Sequence, residues 1–137
     1  MRRVEPQFDP RLIGVWSNDR LHAAGSATHV RILFQSNFSG RYETWHNGLN
    51  EVITFNWSPP TADRITLSGI EYLFREPPSV RREPCDWHFE AVPYWVKVER
   101  AASGEEMAVL HLQFGPTRVD RYGLVTTDFR GFESPTF

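Results

Sequence analysis

The chain has very little cysteine: Cys85 is the only one. No disulfide can form within the chain, and that composition suits a reducing cytoplasm. The thiol sits in Glu83-Pro84-Cys85-Asp86-Trp87, where acidic neighbours oppose a thiolate and make it a poor nucleophile. Excess basic charge is also missing. Fifteen Lys and Arg face 17 Asp and Glu, for a formal net charge of −2, and Lys97 is the sole lysine. With no basic excess to neutralise a phosphate backbone, nucleic acid is not an expected main partner. No run approaches the ~20 apolar residues of a membrane span. Glu5, Pro6 and Pro10 interrupt the N-terminus where a signal peptide needs an apolar stretch. A soluble, cytoplasmic protein with no membrane partner is expected. Gly-x-Gly-x-x-Gly, Gly-x-x-x-x-Gly-Lys-Ser/Thr and Gly-x-Ser-x-Gly are all lacking, so dinucleotide, P-loop and nucleophile-elbow chemistry have no support. No internal repeat is present, and no segment of ten or more residues keeps a helical period.

What the chain does have is aromatic mass. Trp, Phe and Tyr make up 14% of 137 residues, which excludes disorder. The length suits one domain, 1–137, able to bury a core without metal or disulfide. Turn signals recur at regular intervals. Asp9-Pro10 reads as a cap followed by Pro in the first turn of a short helical segment, 9–12. Strands are predicted at 13–17, 28–35, 41–46, 51–57, 64–74, 87–100, 106–114 and 118–126. Asn47-Gly48 is a strong hairpin turn. Pro59-Pro60 should end the fourth strand. In the fifth, the apolar parity changes at Ser68-Gly69, from Ile65 and Leu67 to Ile70, Tyr72 and Phe74, which marks a bulge. The run 75–86 holds three prolines and alternating charge. It reads as the longest loop, long enough to be a lid. The sixth strand should break at Pro93, and the 127–137 tail shows no period. The expected fold is all-β: a single antiparallel up-and-down β-barrel of about eight strands. Such a barrel is either filled by side chains or holds one small ligand.

The opening Leu12-Ile13-Gly14-Val15-Trp16, with a helical turn before it, resembles the Gly-x-Trp start of lipocalins and their calycin relatives. Gly14 to Asp19 is similar to the start of avidin-type barrels as well, without their downstream biotin-contacting pattern. The later order, with Phe55-Asn56-Trp57, Ile65-Thr66-Leu67, Ala108-Val109-Leu110-His111-Leu112 and Tyr122-Gly123-Leu124, resembles small bacterial lipocalin-like domains. The resemblance implies a barrel with an apolar interior, Trp16 closing its floor, and Arg118 or Arg121 packed over that ring as a cation–π partner.

Strand parity turns Phe34, Phe55, Trp57 and Phe114 inward, as core or as cavity wall. The expected ligand-binding set is Phe34, Tyr42, Trp45, Phe55, Trp57, Tyr72, Trp95 and Phe114, with Arg41 and Arg121 as polar contacts. Glu43, Tyr72 and His111 are the candidate acid–base residues. Glu71, Lys97, Glu99 and Asp120 should join Arg41, Glu43 and Arg121 on the outer face, with the bulge deciding Glu71. His111 lies between Leu110 and Leu112, so parity turns it outward. His88 and Glu90 could pair across one strand face. His22, His29, His46, His88 and His111 are never two apart in a strand, so no metal and no cofactor is expected. Three function classes follow: a binder of a small, largely apolar or aromatic molecule inside the barrel; a cofactor-independent cyclase, isomerase or hydrolase using the same cavity; or a filled barrel acting through its surface. A second copy of the chain, as a homodimer, is a further allowed partner.

Overall fold

A computed structural model describes residues 9–21, 28–114 and 119–132. Its strands are β1 Gly14–Ser17, β2 Thr28–Phe34, β3 Ser39–His46, β4 Leu49–Thr61, β5 Arg64–Glu76, β6 Ser79–Pro84, β7 His88–Arg100, β8 Glu106–Leu112 and β9 Arg121–Thr126. All pair antiparallel in one sheet, in the order β4-β3-β2-β1-β9-β8-β7-β5-β6. A further β4–β5 ladder joins the two ends, so eight strands form a ring. β5 gives its second edge first to β7, from Arg64 to Ser68, and then to β6, from Glu71 to Glu76. β6 therefore hangs outside the ring. Among the described residues the only helical pieces are two 3₁₀ turns, Pro10–Leu12 and Asn18–Arg20. The first is capped as its sequence predicts, with the Asp9 carboxylate accepting from the Arg11 N–H at 3.0 Å. Among the described residues no helix is long and apolar enough to cross a membrane.

Three stretches differ from the sequence expectation, each for a local reason. The run 75–86 is not a loop; most of it is β6. Every residue of β6 is exposed, so it carries no period-2 apolar signal. Its prolines bracket it, with a cis Pro77–Pro78 turn before and Pro84 at its end. Pro59 and Pro60 do not end β4. The β4–β5 register shifts between Ser58 and Thr61, so two residues without N–H groups sit in a bulge. The break in β7 lies at Ala91 (φ 50) rather than at Pro93, which stays in the ladder opposite Arg64. The Thr66 hydroxyl accepts the Ala91 N–H at 3.0 Å there. The Asn47-Gly48 hairpin turn is as expected, with φ 53 and 111.

The parity change in β5 is real. Thr54 pairs with Glu71 and Phe55 with Gly69, so Ile70 is the extra residue of the bulge. Ile70 is 51% exposed and does not join the inward set. Beyond it Tyr72 faces inward, and Glu71 and Leu73 face out.

One core fills the middle of the ring. Trp16, Ile32, Phe34, Phe55, Ile65, Leu67, Leu110 and Tyr122 are completely buried there. Trp16 donates its indole N–H to the Leu12 carbonyl at 2.9 Å, which ties the first 3₁₀ turn across one end of the ring. Arg121 pairs in register with His111 and is exposed, so it does not cover Trp16. Arg118 lies outside the described residues. The outer surface carries two smaller apolar clusters: Leu49, Val52 and Leu73 beside Trp45, and Ala101, Met107 and Val109 beside Leu21.

Candidate functional site

The inward aromatics of the sequence separate into two groups. Phe34 meets Phe55 and Trp57 edge-on, each at 5.7 Å between ring centroids. Trp57 spends its N–H on the Gln35 and Ser39 carbonyls, at 3.2 and 3.0 Å. These three side chains satisfy one another and fill the centre. Tyr42 and Phe114 lie farther along, at the end of the ring away from Trp16. There they meet Trp87 and Phe89 in a second aromatic group.

Gly69 positions that second group. Its N–H donates to the Trp87 carbonyl at 2.8 Å, and the Cys85 N–H donates to the Ile70 carbonyl at 3.1 Å. A Cβ at Gly69 would lie 2.7 Å from Cys85 Sγ and 3.1 Å from the Cys85 carbonyl oxygen. Only glycine lets residues 85–87 lie this close on β5. The connection thereby swings Trp87 over the ring end. Its indole packs edge-on against Tyr42 (5.4 Å), Phe89 (5.4 Å) and Phe114 (5.8 Å).

Between this group and β4, β5 and β6 lies a cleft of about 370 Å³. Tyr42, Ile53 and Trp87 form apolar walls, and Pro84 and Cys85 complete one side. Its polar groups are Tyr72, Glu51, Glu83 and Asp86. Tyr72 donates its hydroxyl to Glu51 Oε2. Burial, and next that bond to Glu51, push the Tyr72 pKa up to about 12, so it stays a neutral donor. Glu83 is paired with Arg81 at 3.3 Å, while Asp86 makes no ion pair among the described residues. No three of the described His, Cys, Asp or Glu side chains come together as a metal site would need.

The other expected site residues lie on the outer face, in two separate places. Glu43 is only 2% exposed. It accepts from Arg41 Nε at 2.8 Å and from the Trp45 indole at 3.1 Å, with Arg31 at 3.7 Å. Arg41 also donates to the Phe132 carbonyl at 2.6 Å, and Arg31 lies over the rings of Trp45 and Phe132. This cluster clasps the C-terminal segment to β2 and β3. Elsewhere, Trp95 stacks on His111 with centroids 4.7 Å apart, and His111 Nε2 bonds Glu99. Trp95 is 55% exposed, beside a groove of about 330 Å³ reaching Asp120. His111 therefore faces outward, as parity predicts. His88 and Glu90 are both exposed and 4.0 Å apart, and His22 lies outside the described residues.

Of the expected site residues, the structure thus brings Tyr42 and Tyr72 together at the cleft. Phe34, Phe55 and Trp57 are packed in the centre, and Phe114 packs behind Tyr42 and Trp87. Trp45, Arg41, Glu43, Trp95, His111 and Arg121 are outside. Sequence reasoning missed Glu51 and Trp87. Glu51 was legible: it shares strand parity with Ile53, Phe55 and Trp57, a charged residue in phase with an apolar face. Trp87 depends on the chain crossing at Gly69, which has no local signal. Compared with protein-family models, with curated proteins and with solved structures, the chain finds no match.

Proposed function

We propose that the ring is a lipocalin-like barrel whose ligand site is the cleft at its end, and that the protein binds a small molecule with an apolar or aromatic body. One observation carries this reading. Ile53, Tyr42 and Trp87 make apolar walls, and the Tyr72–Glu51 pair supplies a fixed polar contact beside them. A concave apolar surface with few, placed polar groups is what small-molecule sites share. Affinity comes from burying the ligand body, at about 25 cal/mol per Å² of apolar surface. On this reading the ligand sits at the mouth rather than in the interior, where Phe34, Phe55 and Trp57 pack on one another. The same pair favours a second reading, a cofactor-independent enzyme using Tyr72 and Glu51 as an acid–base pair.

Native mass spectrometry of protein purified from its source tests the binding reading. A co-purifying small molecule is expected, and Trp87→Ala should lose it. The reading fails if nothing co-purifies and no aromatic fragment shifts the NMR signals of Tyr42, Tyr72 and Trp87. A bound molecule recovered chemically changed after incubation favours the enzyme.

A further inference from the structure

The charge of the cleft goes further than its shape. Resting on the reading of this cleft as a binding site, we infer that its ligand is an organic cation, a protonated amine or quaternary ammonium carried on an apolar body. The lining holds three carboxylates, Glu51, Glu83 and Asp86, and none of its lining residues is basic. Of the three, only Glu83 has a cationic partner among the described residues, Arg81. Arg82, the next residue, is turned to the outer face and paired with Glu71 at 3.0 Å. Glu51 is bonded to a neutral phenol, which satisfies one oxygen and leaves its charge uncompensated.

The walls suit the same ligand. The faces of Trp and Tyr rings are electron-rich, and a cation held against them gains through the ring quadrupole. Tyr42 and Trp87 stand at 65° to one another, forming two sides of a corner rather than one stacked surface. An anion in this corner would meet the repelling carboxylates of Glu51, Glu83 and Asp86. A bare metal ion fits poorly, because the carboxylates do not converge on one point. An alkylammonium needs no convergent ligands. It needs diffuse negative charge and aromatic contact.

Isothermal titration calorimetry with three probes of similar size tests this: benzyltrimethylammonium, benzyl alcohol and benzoate. The ammonium is expected to bind about tenfold more tightly than the alcohol, and benzoate more weakly than either. Asp86→Asn and Glu51→Gln should each weaken the ammonium several-fold and the alcohol by less. Asp86 is exposed, so its replacement spares the fold, and the wild-type comparison needs no variant. Equal binding of ammonium and alcohol overturns the cation inference and leaves the binding reading standing. Failure of all three probes to bind at millimolar concentration overturns both.

Discussion

Gly69→Ala tests how the ring end is built. The new methyl would sit 2.7 Å from Cys85 Sγ, 3.0 Å from Trp87 Cβ and 3.1 Å from the Cys85 carbonyl oxygen. Two of the three belong to the backbone or its first side-chain atom, so they cannot swing aside. Residues 85–87 must move off β5, stretching the Gly69–Trp87 and Cys85–Ile70 hydrogen bonds. Overpacking of this kind costs about 1–3 kcal/mol. A weakened hydrogen bond adds about 1 kcal/mol. Against this, alanine lowers the entropy of the unfolded chain, a gain of about 0.4–1 kcal/mol. The net loss is about 1–3.5 kcal/mol, read as the midpoint shift in urea denaturation. Cys85→Ala removes the nearest atom. In that background the same Gly69→Ala change should cost less, with a coupling of about 1 kcal/mol in the double-mutant cycle. The rescue is partial, because the other two contacts remain. The indole NMR signal of Trp87 should shift in the single variant. The reasoning is refuted if Gly69→Ala is as stable as wild type, or if its cost is unchanged in the Cys85→Ala background.

Three further outcomes are expected. Trp16→Phe strips the buried Leu12 carbonyl of its donor and leaves a void, costing at least about 2 kcal/mol in thermal or urea unfolding; a neutral result would mean this contact does not hold the first turn. Glu43→Ala leaves the nearly buried Arg41 without its carboxylate, at about 3–5 kcal/mol, little changed by added salt, and limited proteolysis should then cut sooner after residue 126. Tyr72 and Tyr94 both have pKa values pushed up to about 12, chiefly by burial, so at least two of the four tyrosines should ionise late in a phenolate absorbance titration. Their folded values lie above the unfolded value of about 10. The stability they contribute is present below about pH 10 and is lost as pH rises through about 12. Tyr72→Phe should remove one late-titrating group, and four tyrosines titrating together near pH 10 in folded protein would contradict the burial.

Period-2 alternation made β2, β4 and β8 readable directly, because each has one buried face. It also placed Phe34, Phe55, Trp57 and Phe114 inward, and His111 outward. The bulge in β5 was readable because an apolar parity cannot change sides without an extra residue. β6 was unreadable for the complementary reason: exposed on every side chain, it satisfies backbone hydrogen bonds without burying anything, and pairing alone leaves no mark on side-chain choice.

The amino-acid sequence by itself determined the class of fold, the turn at Asn47-Gly48 and the inward aromatic set, since these depend on local backbone preference and on which face meets water. Tertiary structure alone decided whether those aromatics fill the ring or line a pocket. Phe34, Phe55 and Trp57 meet across strands far apart in sequence and close the centre. Gly69 admits residues 85–87 onto β5, and only that crossing brings Trp87 beside Tyr42, Tyr72 and Glu51. A cleft is a property of chain segments in contact, and local periodicity carries no information about which segments those are.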